Sequence, residues 1–145
     1  MPDSIVLDTS VLIAGLRSSR GASFALLEMI GDGLFELNLS VPLVLEYEAI
    51  ARRQTRELGL SFRDVDDLLD YLCKAGQHRS IYYLWRPVLR DPGDDMVLEL
   101  GVEAGADFIV THNVRDFVEA RNFGITVLTP RDYLGVIRSV KQERP

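Results

Sequence analysis

Gly105-Ala106-Asp107-Phe108-Ile109-Val110-Thr111-His112-Asn113-Val114-Arg115-Asp116-Phe117 is the stretch whose reading decides the fold. Gly105 ends the helix before it, because glycine adopts the left-handed conformation at a helix C-terminus without strain. Phe108-Ile109-Val110 then forms a short, apolar strand. Polar residues follow at once, so Thr111, Asn113 and Asp116 stand just past the strand's carboxyl end. Upstream, Met96 to Ala104 is apolar apart from Glu99 and Glu103, the composition of a largely buried helix. A buried helix feeding an apolar strand points to a sheet covered by helices.

The same alternation runs through the rest of the chain. Ile5-Val6-Leu7 is β-branched and apolar, and reads as a buried strand. Val11 to Leu16 follows as a helix, with Ser10 as its cap and Asp8 and Thr9 as rivals. Gly21-Ala22-Ser23 starts a helix over Phe24 to Ile30, which Gly31-Asp32-Gly33 stops. Phe35-Glu36-Leu37-Asn38-Leu39 alternates as a strand does, and Pro42 suits the first turn of a helix to about Thr55. Ser61, with Asp64 three residues on, caps a helix whose apolar positions Phe62, Val65, Leu68, Leu69 and Leu72 keep helical spacing. Ile81-Tyr82-Tyr83-Leu84 reads as a strand, Pro87 to Gly93 as a loop and Thr126-Val127-Leu128 as the last strand. Pro130 opens a final helix to about Val140, with a polar tail after it. No repeat or linker interrupts the pattern, so residues 1–145 read as a single domain. Strands alternating with helices predict an α/β fold, a three-layer α/β/α sandwich around a central, mainly parallel sheet of four to five strands.

Composition narrows the function classes. The 145 residues are 47% hydrophobic and 26% charged, as in globular domains. A net charge of -6 disfavours loose, sequence-independent attachment to nucleic acid, yet it permits an acidic site with a basic rim. Cys73 stands alone, which excludes an internal disulfide, and its helical setting reads as core. No apolar run approaches a membrane span. Met1-Pro2-Asp3-Ser4 lacks the basic start of a signal peptide, so a cytoplasmic protein is expected.

In an open parallel sheet, ligands bind in the crevice beyond the carboxyl ends of the strands. Acidic residues gather at that edge. Asp8 closes the first strand, and its plain alternative is a helix cap. Glu46 lies early in the helix after the second strand, where the helix dipole alone favours an acid. Asp116 follows the strand Phe108-Ile109-Val110, where it also suits the cap of a short segment from Phe117 to Ala120. The remaining position is open among Asp91, Asp94 and Asp95, because three acids ahead of one helix exceed what capping needs. Asp94 is the expected cap, which leaves Asp95, in the first turn beside Met96 and Val97, for the functional role. Thr111 and Asn113 are placed to orient a ligand or the carboxylates, or simply to shape a turn. Four carboxylates in one crevice repel one another, so some protonate or a cation joins them. A hard divalent ion, Mg²⁺ or Mn²⁺, suits oxygen donors and phosphate chemistry. Arg17, Arg20, Arg52, Arg53 and Arg115 are candidates for a basic rim. His112 and His78 read as ordinary surface histidines.

This combination resembles the PIN domain along nearly the whole chain. The matching segments are Val6-Leu7-Asp8-Thr9-Ser10-Val11-Leu12, Pro42-Leu43-Val44-Leu45-Glu46-Tyr47-Glu48, Arg90-Asp91-Pro92-Gly93-Asp94-Asp95 and the run from Gly105 to Phe117. The ending Leu128-Thr129-Pro130-Arg131-Asp132-Tyr133-Leu134 is similar to the prokaryotic toxin branch of that family. Ser10 replaces the Asn common in the first motif and keeps a hydrogen-bond donor there. The resemblance implies a Mg²⁺- or Mn²⁺-dependent ribonuclease, VapC-like, homodimeric and held inactive by an antitoxin protein. Its implied metal-binding and catalytic quartet is Asp8, Glu46, Asp95 and Asp116, supported by Ser10, Asp91, Asp94, Thr111 and Asn113. A non-catalytic PIN-like module that binds RNA or protein is the second reading. A phosphotransfer domain is disfavoured, since Thr111-His112-Asn113 offers no lysine and Ser10 stands where a second aspartate is needed. Phe62 to Leu72 and the aromatic cluster Tyr82, Tyr83 and Trp85 are expected in the core ahead of a dimer or antitoxin surface.

Overall fold

The computed structural model describes residues 2–81 and 88–143. Among the described residues five strands form the sheet: β1 (Asp3–Leu7), β2 (Phe35–Leu39), β3 (Gln77–His78), β4 (Phe108–Val110) and β5 (Thr126–Leu128). Every pairing is parallel, in the order β3-β2-β1-β4-β5. Ile5 aligns with Leu37 on one side and with Phe108 on the other, so the first strand is the middle of the sheet. The chain builds outward from β1 to β3, then crosses back to add β4 and β5 on the far side. The reversal opens a crevice between the carboxyl ends of β1 and β4, the switch point where open α/β sheets bind ligands.

Among the described residues the third strand is Gln77–His78, a segment not expected as a strand from the sequence. Gln77 and His78 are both exposed, and they pair with Asn38 and Leu39 at the sheet edge. Backbone and side-chain bonds hold this edge, with Arg79 N donating to the Leu39 carbonyl (2.8 Å) and Arg79 Nε to Asn38 Oδ1 (3.0 Å). Such an edge needs no hydrophobic alternation, so none appears in the sequence. Ile81 lies outside any strand, and the rest of that expected strand, with Tyr82, Tyr83 and Trp85, lies outside the described residues.

Helices α1 (Thr9–Arg17), α2 (Ala22–Met29), α3 (Val41–Arg53), α4 (Thr55–Leu58), α5 (Phe62–Ala75), α6 (Pro92–Ala104) and α7 (Pro130–Glu143) flank the sheet, with a 3-10 segment at Val114–Phe123. Helix α1 begins with no side-chain cap, so neither Ser10 nor its rivals fill that role. The Ser61 box is complete: Ser61 Oγ accepts from Asp64 N (3.1 Å) and Asp64 Oδ2 accepts from Ser61 N (2.8 Å). On α5, Val65, Leu69 and Leu72 are buried, whereas Phe62 is exposed with the Arg52 guanidinium 5.2 Å from its ring centre. Cys73 is a free, half-buried thiol packed against the core.

Helix α6 starts at Pro92, four positions ahead of its apolar run, and its cap is Asp91, not Asp94. The Asp91 carboxylate accepts from Gly93 N (2.7 Å) and Asp94 N (3.4 Å). Proline fits the first helical turn, where its missing N–H is not needed, and it holds Asp91 extended. Val97, Leu98, Leu100 and Gly101 of α6 are buried. A Cβ at Gly101 would lie 3.1 Å from Ile125 and 3.4 Å from Ile109, so glycine lets α6 sit close to the sheet. No helix among the described residues is long and apolar enough to cross a membrane.

One buried bond fixes α3 to the centre of the sheet. Tyr47 is 1% exposed, and its hydroxyl donates to the carbonyl of Leu7, the last residue of β1 (2.5 Å). Glu46 and Asp8, the neighbours of these two residues, are thereby set beside each other. Tyr47→Phe is expected to lower unfolding free energy by about 1–3 kcal/mol, the range for leaving a buried acceptor without its donor. Urea denaturation measures it, and an unchanged midpoint would show that the hydroxyl is not an anchor.

Candidate acidic active site

Asp8 occupies the junction of β1 and α1 and is only 6% exposed. Its Oδ2 accepts two hydroxyl bonds, from Ser10 Oγ (2.7 Å) and from Thr111 Oγ1 (2.8 Å). Thr111 is fully buried just past β4, so the second bond spans the switch point. Each hydroxyl is oriented in turn: Ser10 Oγ accepts from His112 N (3.2 Å), and Thr111 Oγ1 from Asn113 N (2.9 Å). With their lone pairs so used, both hydroxyl protons point to Asp8, as a buried carboxylate requires.

Glu46 reaches the same place from the second turn of α3, where its Oε2 accepts from Thr9 Oγ1 (2.6 Å). Gly93, in the first turn of α6, packs against the Glu46 carboxylate and close to Asp91 Oδ1. Any side chain at 93 would meet that carboxylate. From the sequence alone Thr9 reads only as a rival helix cap and Gly93 as the end of a loop. The signal was present in Gly93, a helix-disfavoured residue inside the first helical turn.

A cleft of about 500 Å³ opens over these groups, lined by Asp8, Thr9, Ser10, Arg17, Glu46, Asp91, Asp94, His112 and Asn113 among others. Asp91 and Asp94 also border a second cleft of about 310 Å³, with Arg90, Arg115, Asp116 and Glu119. Asp94 therefore stands between the two. Burial, and then repulsion from Asp8, Asp91, Asp116 and Glu46, push its carboxyl up to about 7. Asp95 turns elsewhere. Its Oδ1 accepts from Val88 N (3.2 Å) and Leu89 N (2.9 Å), bracing the segment before α6, and it lines neither cleft. Beneath the floor, burial and then the Asp8 and Glu46 charges raise the Tyr47 phenol well above its ordinary value, keeping it a neutral donor.

Of the arginines read as a rim, Arg17 and Arg115 line the clefts. Arg52 is engaged with Asp66 (2.7 Å) and Glu48 (3.9 Å) on the helical layer, and Arg53 Nε donates to the Ala49 carbonyl (3.4 Å).

The donors here are all hard oxygens, which suits Mg²⁺ or Mn²⁺, and a divalent charge would relieve the repulsion centred on Asp94. Among the described residues no three His, Cys, Asp or Glu side chains stand ready to enclose an ion. Mg²⁺ needs no such cage, because it keeps several waters and binds through one or two carboxylates plus substrate phosphate. The residues fit an ion held partly through water.

An all-parallel sheet with carboxylates gathered at its switch point defines an α/β protein with a cation-seeking cleft. The PIN domain family model matches residues 4–115, and the chain belongs to that family. Among solved structures, the fold is similar to a chain in the crystal structure of VapBC2 from Rickettsia felis bound to a DNA fragment from their promoter. The TM-score is 0.56 at 11% identity, over 86% of this chain and 96% of that one. No curated protein matches.

The acidic cluster makes the metal-free fold sensitive to pH. A carboxyl raised from 3.8 to about 7 favours folding fully below its unfolded value and loses that contribution as pH rises through about 7. Without divalent ions, the thermal midpoint is expected to fall between pH 5 and pH 8, and to fall less in Asp94→Asn. Equal slopes in the two proteins would show that Asp94 carries no strained charge.

Proposed function

We propose that this protein is a metal-dependent endoribonuclease and the toxin of a toxin–antitoxin pair, its single PIN domain spanning 1–145. The observation that carries the reading is the convergence of Asp8, Glu46 and Asp94 on one cleft at the β1/β4 switch point, with Asp116 bordering the adjoining cleft. Asp94 takes the metal-binding place for which counting along the sequence chose Asp95, since Asp94 faces the other acids and Asp95 braces a loop.

Asp8, Glu46, Asp94 and Asp116 would hold one or two Mg²⁺ or Mn²⁺ ions, directly or through water. Such ions supply an activated water nucleophile and neutralise charge on the phosphate. Ser10 and Thr111 hold the Asp8 carboxylate in place at the cleft by hydrogen bonds, and Thr9 does the same for Glu46. Asn113 and His112 stand at the cleft mouth, where their side chains can meet the ribose or phosphate oxygens. Asp91 keeps the first turn of α6 in register so that Asp94 faces inward. The likeness to a VapBC2 chain supports a VapB-like protein antitoxin as partner. A homodimer acting in the cytoplasm completes the proposal.

The test is cleavage of total RNA by purified protein with Mg²⁺, Mn²⁺ or EDTA. Metal-dependent cutting is expected, reduced at least about a hundredfold in Asp8→Asn and Asp94→Asn by loss of charge stabilisation. Asp95→Asn should retain most of the activity. Loss of activity in Asp95→Asn with a native thermal midpoint would return the third place to Asp95. Tight RNA binding with no turnover in any metal would leave a binding module instead.

A further inference from the structure

Beside the acidic cleft lies a larger groove, of about 820 Å³, with the opposite charge. It runs between α1, α2 and the start of α7. Arg17, Arg20, Arg131 and Arg138 line it, and among the described residues no carboxylate does. In a chain of net charge -6, four arginines gathered around one groove mark a segregation of charge. Arg20, Arg131 and Arg138 are exposed and make no ion pair among the described residues, unlike Arg52.

Helix stability does not account for Arg131. It sits in the first turn of α7, where the helix dipole disfavours a cation. Arg131, Leu134 and Arg138 keep i, i+3, i+7 spacing, so one face of α7 points all three into the groove. Ala22, Ala25, Pro130 and Leu134 supply apolar walls, which fit a ribose or base better than a bare ion. The groove and the acidic cleft share Ala14, Arg17 and His112. The His112 ring is fixed at this junction by its Nε2, 2.9 Å from the Oγ of buried Ser23.

From this we infer that the groove binds the sugar–phosphate backbone of a single-stranded RNA on one side of the phosphate to be cut. The inference rests on the nuclease reading above and extends it to the path of the substrate. Arg131 and Arg138 contact phosphates beyond the cleft, and Arg17 and His112 mark where the strand passes from the basic groove to the acids. Positive grooves that follow a backbone without reading bases are the common means of holding single strands.

The experiment measures binding apart from cleavage. A fluorescein-labelled uridine dodecamer is titrated into Asp8→Asn protein in EDTA across a salt series, with and without the pair Arg131→Ala and Arg138→Ala. The pair is expected to weaken binding at least about tenfold and to reduce the slope of log K against log salt by about 1.4, near 0.7 for each phosphate left without its arginine. Arg131→Lys with Arg138→Lys should restore most of both. In protein that keeps Asp8, the alanine pair should raise KM for the dodecamer in Mn²⁺ more than it lowers kcat. Equal affinity and equal salt slope in the two Asp8→Asn proteins would overturn the inference. So would a loss confined to an acidic peptide, which would make the groove a protein-binding surface. Failure of the nuclease reading would look different: dodecamer binding would depend on Arg131 and Arg138, with no cleavage in any metal.

Discussion

The bond between Thr111 and Asp8 is the constraint around which the molecule is organised. It joins residues 103 positions apart, at the ends of the two strands that flank the reversal of the sheet. Buried carboxylate oxygens need hydrogen-bond donors, and Asp8 takes them from both sides of the crevice. The two hydroxyls that serve it are themselves oriented by backbone N–H groups of the same turn. The strand order, the turn after β4 and the first residues of α1 therefore depend on one another.

Around that fixed charge the other acids are arranged by backbone, not by flexible side chains. Tyr47 pins α3 to the last carbonyl of β1, which brings Glu46 alongside. Asp91 and Pro92 start α6 at a defined residue, and Gly93 lets that first turn meet the Glu46 carboxylate. Three aspartates in five positions then have separate tasks. Asp91 caps, Asp94 faces the cluster and Asp95 braces the preceding segment. The result is a concentration of negative charge that the fold alone leaves partly uncompensated.

The sheet, its parallel sense and most helices are legible in the sequence because they bury apolar faces. Ile5-Val6-Leu7 and Phe108-Ile109-Val110 announce themselves for that reason. The edge strand Gln77–His78 does not, since it is held by backbone bonds and exposed on both residues. The site was legible in outline. Asp8 and Thr111 sit together at the crevice because each directly follows an apolar strand, a position readable from the chain. The α6 acids were not separable by counting from the first apolar residue, because the helix begins before that residue. The deciding feature is the Asp-Pro pair, which places the cap at Asp91 and rotates each later aspartate accordingly. Of the groove's arginines, the sequence marks only Arg17 and Arg20, as parts of a basic rim. The groove itself was invisible, because its arginines come from segments more than a hundred residues apart.

The place of β1 in the sheet has a consequence for how the protein comes into being. Among the described strands, the earliest in the chain is the one flanked on both sides. Its neighbour β2 follows within a few tens of residues, but β4 arrives only after Phe108 has been made. Pairings of such long sequence separation form late, because loop closure must be achieved before they contribute. Until then the edge of β1 is open and Asp8 lacks its Thr111 donor. A nascent or prematurely terminated chain thus holds Asp8, Glu46 and Asp94 without the geometry that makes them a cluster. Assembly of the cleft therefore waits for the segment that carries Thr111.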